Sequence, residues 1–296
     1  MSSAPCGLIV LHKPTGITSF RSLNTAKKAF GTKKIGHTGT LDKFASGVLP
    51  ALVGTAARFS SFFMDLPKTY TATIRFGSTT TTLDPEGEPA GIGPLPTPDA
   101  IHLVTQAFVG EIEQLPPDFS ALHVNGRRAS DIARSGEKPA LKARTVSIYD
   151  LNVLSCSETE LQIRVVCSRG TYIRALARDI AKSLGTVAYL SELERSAVGS
   201  FTLEASVNPD HIRGVQDLLP IEAFLEALPA IVPRKAPLEM ADAVRDGVPL
   251  SPQMFSLPPD QPETSALLSQ AGEFLALSEF DGSAFRYRFV KPRDNE

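Results

Sequence analysis

Gly36-His37-Thr38-Gly39-Thr40-Leu41-Asp42-Lys43-Phe44-Ala45-Ser46-Gly47-Val48-Leu49-Pro50 sets one carboxylate among glycines and small hydroxyl residues. Glycines at this density let a backbone approach a ligand closely. Asp42 is the only acid in the first fifty residues, against seven cations (Lys13, Arg21, Lys27, Lys28, Lys33, Lys34 and Lys43), a local balance of +6. A lone acid in a basic segment points to chemistry on an anionic partner. An isolated aspartate beside glycines is more commonly a turn or capping residue, so both readings stand at this point.

The chain has 296 residues with 42% hydrophobic content, enough for one large domain and a small one. No apolar run approaches the ~20 residues of a membrane span, so a cytoplasmic protein without membrane association is expected. Cys6, Cys156 and Cys167 form no CxxC pair, so neither a disulfide framework nor a zinc site is expected. The net charge of −2 conceals a split. Residues 1–200 carry 22 Lys and Arg against 17 Asp and Glu, net +5, whereas residues 201–296 carry 8 against 15, net −7. A polyanion therefore belongs on the first two thirds.

Outward from Asp42, Leu8-Ile9-Val10-Leu11 reads as a strand broken by Pro14 and Gly16. A helix capped by Ser19 follows, with Phe20, Leu23, Ala26 and Phe30 near one face and Gly31 as its stop. Lys68 to Phe76 alternates strictly and places Tyr70 with Ala72, Ile74 and Phe76 on the core side. Thr97-Pro98-Asp99 opens a helix; Asn125-Gly126 turns a hairpin arm that a short helix, Ala129 to Arg134, follows. Val146 to Leu154 and Glu160 to Cys167 read as paired strands. The helix after Ser168-Arg169-Gly170-Thr171-Tyr172 buries Ile173, Leu176, Ala177 and Ile180, while Arg174, Arg178 and Lys182 repeat every four residues as one basic edge. Ser191 with Glu194 reads as the capping box of a further helix, with Leu193 in its first turn. Past residue 222 the chain turns acidic and Pro-rich, then closes with a hairpin at Asp281-Gly282.

Competing motifs are poorly supported. Gly31-x-x-x-x-Gly36-His37-Thr38 nears a phosphate loop but has His37 where lysine is needed, and it follows a helix instead of a strand. No HExxH, Gly-x-Ser-x-Gly or complete dinucleotide fingerprint is present.

Six colinear segments between Lys13 and about Phe201 closely resemble the bacterial TruB family of tRNA pseudouridine synthases. They are Lys13-Pro14-x-Gly16-x-Thr18-Ser19, Gly36 to Pro50, Lys68-x-Tyr70, Pro116-Pro117-x-x-Ser120-Ala121, Asn125-Gly126-Arg127, and Cys167-Ser168-x-Gly170-Thr171-Tyr172-Ile173-Arg174. Lys43 stands where relatives usually have proline. The resemblance implies isomerisation of uridine 55 in the T loop of tRNA to pseudouridine, by base flipping and without cofactor or metal.

It further implies that Asp42 is the catalytic carboxylate, Arg174 the arginine paired with it, and Tyr70 the aromatic that stacks on the target base. Tyr172 and Leu193 match pocket residues, and His37 the residue that engages the opened T loop. Lys13, Lys27, Lys28, Lys33, Lys34 and Arg178 are the expected phosphate contacts. The T arm of tRNA is the expected partner, with no obligate protein partner.

The expected fold is α+β, a central mixed, largely antiparallel sheet flanked by helices. Residues 1–222 form the catalytic domain, and 223–296 a short PUA-like β module. A tRNA-binding or folding protein with weak or lost catalysis is the competing class, motivated by the acidic tail and by departures in the arm, where Phe119 and His123 stand in place of the usual tyrosine and lysine.

Overall fold

The structure, a computed structural model, describes residues 4–292. The apolar run at Leu8 lies in β1 (Gly7–Lys13), followed by α1 (Ser19–Phe30), β2 (Ile35–His37) and β3 (Ser46–Val53). Helix α2 (Ser60–Asp65) leads to β4 (Lys68–Phe76). There Tyr70, Ala72, Ile74 and Phe76 are buried and the intervening residues are more exposed, as a period of two requires. A ribbon of β5 (Ser78–Thr80) and β6 (Pro89–Ile92) brackets the loop 81–88, and α3 (Pro98–Gln106) precedes β7 (Gly110–Gln114). The arm follows as β8 (His123–Val124), β9 (Arg127–Arg128) and α4 (Ala129–Arg134); Asn125 and Gly126 both adopt positive φ, as a two-residue hairpin turn demands. The long strands β10 (Arg144–Cys156) and β11 (Glu160–Cys167), helix α5 (Ile173–Ser183), and strands β12 (Ala188–Val198) and β13 (Phe201–Thr202) complete this part.

The strands order as β1-β3-β12-β4-β11-β10-β7, with β2 added to β3 and β13 to β12. All these pairings are antiparallel except β3 with β12, so the sheet is mixed and largely antiparallel, as expected. Helix α5 lays Leu176, Ala177 and Ile180 on the face that carries Tyr70, Ala72 and Ile74, burying one continuous core between them. Helix α1 packs Leu23, Ala26 and Phe30 against β1 and β3.

Three expectations need correction. The helix at Ser191 is instead β12, the strand between β3 and β4 in the sheet. Its register shifts at Leu190/Glu192 and Arg195/Ala197, and these two bulges break the alternation that would mark a strand in sequence. The α1 cap is Thr18, whose hydroxyl accepts from the Arg21 amide, which frees Ser19 for another task. Phe20 turns away from the α1 core face and is 62% exposed, beneath the Lys27 ammonium at 4.6 Å from its ring centre.

Close contact of β3 with β12 depends on Gly47. Its φ is +111°, and a Cβ there would meet the Arg195 carbonyl oxygen at 2.2 Å. Only glycine fits that approach.

After α6 (Ile221–Phe224), the second sheet takes β14 (Val232–Lys235), helix α7 (Ala241–Arg245), β15 (Glu263–Leu268), β16 (Phe274–Phe280) and β17 (Phe285–Val290). Its order is β14-β15-β16-β17, and the hairpin at Asp281-Gly282 joins the last two strands. The second sheet docks on the part built around the first sheet through aromatic rings. Phe59 stands 5.3 Å from Phe224, 5.6 Å from Phe274 and 5.7 Å from Phe289, ring centre to ring centre. Phe59→Ala should therefore destabilise the chain by about 3–5 kcal/mol, read as a lowered denaturant midpoint. Among the described residues, no helix is long and apolar enough to cross a membrane.

Candidate active site

Asp42 lies in the loop between β2 and β3, which side chains from three other elements hold in place. The Ser19 hydroxyl donates to the Leu41 carbonyl at 3.1 Å and accepts from the Leu41 amide at 2.9 Å, so the start of α1 grips the residue before the aspartate. Lys13, at the end of β1, donates its ammonium to the carbonyls of Ala45 at 2.5 Å and Ile17 at 2.8 Å. Arg195 of β12 donates Nε to the Val48 carbonyl at 2.7 Å and Nη2 to the Gly39 carbonyl at 3.0 Å. Buried backbone acceptors are satisfied, and the loop conformation is fixed.

Arg174 enters from α5 and is 3% exposed. Its Nη2 donates to Asp42 Oδ1 at 3.0 Å, and its Nε stands 2.8 Å from Oδ2, so the guanidinium faces both carboxylate oxygens. The pairing expected across 132 residues of sequence is present. Three further acceptors orient the guanidinium: the Thr82 carbonyl at 2.8 Å, the Phe119 carbonyl at 3.0 Å and the Asp84 carboxylate at 3.3 Å. Asp84 is buried, and burial pushes its carboxyl up; the Thr82 hydroxyl at 2.5 Å and Arg174 oppose that shift. The loop presenting these groups bends through Leu83, a non-glycine residue at φ +62°, and is tied to β12 by the Leu190 amide donating to the Leu83 carbonyl. Lys43 pairs with Glu86 of the same loop at 3.1 Å, an exposed bridge.

Tyr70 is buried on the same sheet face, and burial pushes its phenol up while the adjacent Arg195 opposes. Leu193 stands opposite Ala72 and Arg195 opposite Tyr70 in the β4–β12 ladder, so all four side chains share one face. Leu193 lies on this face in a strand, not in the first turn of the expected helix. Tyr172 immediately precedes α5; the fully buried Gln114 fixes it by accepting from its amide at 2.8 Å and donating to its carbonyl at 3.2 Å. The Arg144 guanidinium lies 5.1 Å from the Tyr172 ring centre.

His37 is the last residue of β2, with Nδ1 buried and unpartnered. Burial and Arg195 both lower its pKa from the ordinary histidine value. The folded chain therefore binds a proton at His37 less readily than the unfolded chain, so this residue contributes stability that is lost as pH falls below about 6.5. A proton-NMR titration should place the His37 midpoint below that value, neutral at pH 7; a midpoint above it would contradict the burial argument.

The phosphate candidates divide. Lys28, Lys33 and Lys34 are exposed and Lys27 is half-buried. Lys13 is not available: it is fully buried, and its ammonium is occupied by backbone carbonyls. Arg178 is engaged as well, with Nε on Asp179 at 2.8 Å and Nη2 on the Leu115 carbonyl at 2.7 Å. Nor is there a basic edge on α5, because Arg174 is buried and only Lys182 of the three is exposed.

Asp84, Gln114 and Arg195 were not expected from the sequence. Arg195 had one usable signal, its place two residues after Leu193 and so on the same side of an extended chain. Asp84 and Gln114 had none, since their partners lie far along the chain. Among the described residues, no three His, Cys, Asp or Glu side chains cluster to hold a metal ion.

Residues 27–173 match the family model for the N-terminal domain of TruB family pseudouridylate synthases. The tRNA pseudouridine synthase B of Caulobacter vibrioides is 39% identical over 237 residues, 77% of this chain and 76% of the relative. That of an Azoarcus species is 36% identical over 95% of this chain and 93% of the relative. In a crystal structure of a Cbf5-Nop10-Gar1 complex, the matched chain is 26% identical with a TM-score of 0.73, over 99% of this chain and 87% of that one. A structure of an H/ACA RNP bound to a substrate RNA containing 2′-deoxyuridine matches similarly, at 25% identity and a TM-score of 0.73, over 97% of this chain and 86% of that one. With the site geometry and relatives at this identity over this span, the chain belongs to the TruB family and is a pseudouridine synthase.

Proposed function

We propose that this chain converts the uridine at position 55 in the T loop of tRNA to pseudouridine, with Asp42 as the catalytic carboxylate. The observation that carries the chemistry is the Asp42–Arg174 pair, set on the sheet face that holds Tyr70. The tRNA substrate follows from the names of relatives that span most of the chain.

The reaction breaks the N1–C1′ bond, turns the base and forms a C5–C1′ bond; the C5 proton is lost and N1 gains one, so substrate and product are isomers. The uridine must leave its stack to reach Asp42, and the site must retain the detached base. Asp42 acts ionised, as nucleophile or base toward the nucleotide, and the guanidinium fork aims its two oxygens. Tyr70, Leu193 and Tyr172 bound the base, while His37, uncharged at neutral pH, engages the opened loop by contact and hydrogen bonding. Lys27, Lys28, Lys33 and Lys34 meet phosphates, positioning the RNA without reading its sequence. Residues 223–296 form the PUA-like module, whose acidic balance suits a supporting role better than phosphate binding.

The experiment is a nucleotide-resolution pseudouridine map of tRNA from cells lacking the gene. Loss of the modification at position 55 alone is expected. An unchanged map, or loss only elsewhere, would overturn this substrate assignment.

A further inference from the structure

Arg195 is a buried guanidinium that the chemistry above does not use. It is 2% exposed, and among the described residues no carboxylate lies within ion-pair distance of it. Burying an arginine without an acid is costly, so its placement needs a compensating role. Two hydrogen bonds of its guanidinium end on the segment that carries Asp42: one on Gly39, three residues before the aspartate, the other on Val48, six residues after it. Its backbone lies against Gly47, where only glycine allows contact. Across the ladder it stands opposite Tyr70. One side chain thus touches both flanks of the Asp42 loop and faces the aromatic floor.

We infer that Arg195 is a positioning residue for the isomerisation: it clamps both flanks of the Asp42 loop to β12 and places a fixed positive charge beside the Tyr70 phenol. This rests on the assignment of Asp42 and Tyr70 above. Geometry supplies the first part, because two carbonyls on opposite sides of the loop converge on one planar fork, which lysine cannot reproduce. The second part follows from the surroundings of Tyr70. Arg195 on β12 favours ionisation of the phenol, while Cys167 on β11, Asp42 on its loop and burial itself all oppose it. Removing Arg195 would therefore loosen the carboxylate and leave the phenol with no favourable charge nearby.

The test uses the full chain with Arg195→Met and Arg195→Lys, T-arm RNA, and three readouts. Single-turnover pseudouridine formation should fall about 10²-fold in Arg195→Met, as when one preorganised donor is lost, and less in Arg195→Lys. The Kd for T-arm RNA should stay within about twofold of wild type in both, since Arg195 is buried away from phosphates. Hydrogen exchange of the Leu41 amide should accelerate while strand amides of β4 and β11 do not. A wild-type rate with unchanged Leu41 exchange would overturn the inference, and so would a rate loss matched by an equal loss of RNA affinity. If Arg195→Met does not fold, Arg195→Lys decides: a slower rate with unchanged Kd supports the clamp, and an unchanged rate refutes it. Wild-type inactivity on T-arm RNA would instead remove the substrate assignment, leaving the exchange result to judge the clamp by itself.

Discussion

Asp42→Asn should form no measurable pseudouridine while still binding T-arm RNA. The substitution keeps the size of the side chain and one oxygen for Arg174 Nη2, so the loop retains its Ser19, Lys13 and Arg195 contacts. Arg174 also keeps the Asp84 carboxylate and two backbone carbonyls, which leaves its charge compensated. What is lost is the ionised oxygen proposed to act on the nucleotide. Removing a group of that kind costs on the order of 10⁴-fold or more in rate. Single-turnover conversion gives the rate and filter binding gives the Kd. Conversion above about a hundredth of wild type would show that Asp42 is not the reacting group.

Arg174→Met has the second largest expected effect, and it acts on stability as well as rate. Arg174 sits between a half-exposed carboxylate, Asp42, and a buried one, Asp84. Without the guanidinium, Asp84 remains buried with only the Thr82 hydroxyl and the Glu86 amide to satisfy it. Removing one partner of a buried ion pair costs about 3–5 kcal/mol, because the remaining charge is uncompensated. The rate should fall a further 10²- to 10³-fold, roughly the loss seen when a preorganised donor is removed. Arg174→Lys should recover part of the stability and little of the rate, since an ammonium cannot face both Asp42 oxygens. Urea unfolding and single-turnover assays separate the two effects. A stable Arg174→Met variant with normal activity would contradict the assigned role of the pair.

Much of this site was legible because its local patterns were strict. The glycine-rich stretch singled out Asp42, the alternation in β4 placed Tyr70 on the core side, and the family resemblance paired Arg174 with a distant acid. Errors arose where a residue's environment is set by chain segments far away. Lys13 counts as a surface cation in any tally of charge, yet four carbonyls from residues 14, 17, 43 and 45 enclose its ammonium. β12 carries two bulges and a Ser-x-x-Glu pattern, so local spacing favours a helix until neighbours on both sides supply its hydrogen bonds. Asp84 and Arg195 acquire meaning only when the loop 81–88 and β12 meet the Asp42 segment in space.

In the proposed reaction, Asp42 drives exchange of the N1–C1′ bond for a C5–C1′ bond at one T-loop uridine. The most direct measurement is tritium release from T-arm RNA carrying [5-³H]uridine at position 55, because the C5 hydrogen must leave when that carbon joins the sugar. Wild-type chain is predicted to release one tritium per RNA, and Asp42→Asn none above background. No release from wild type, or equal release from both, would contradict it.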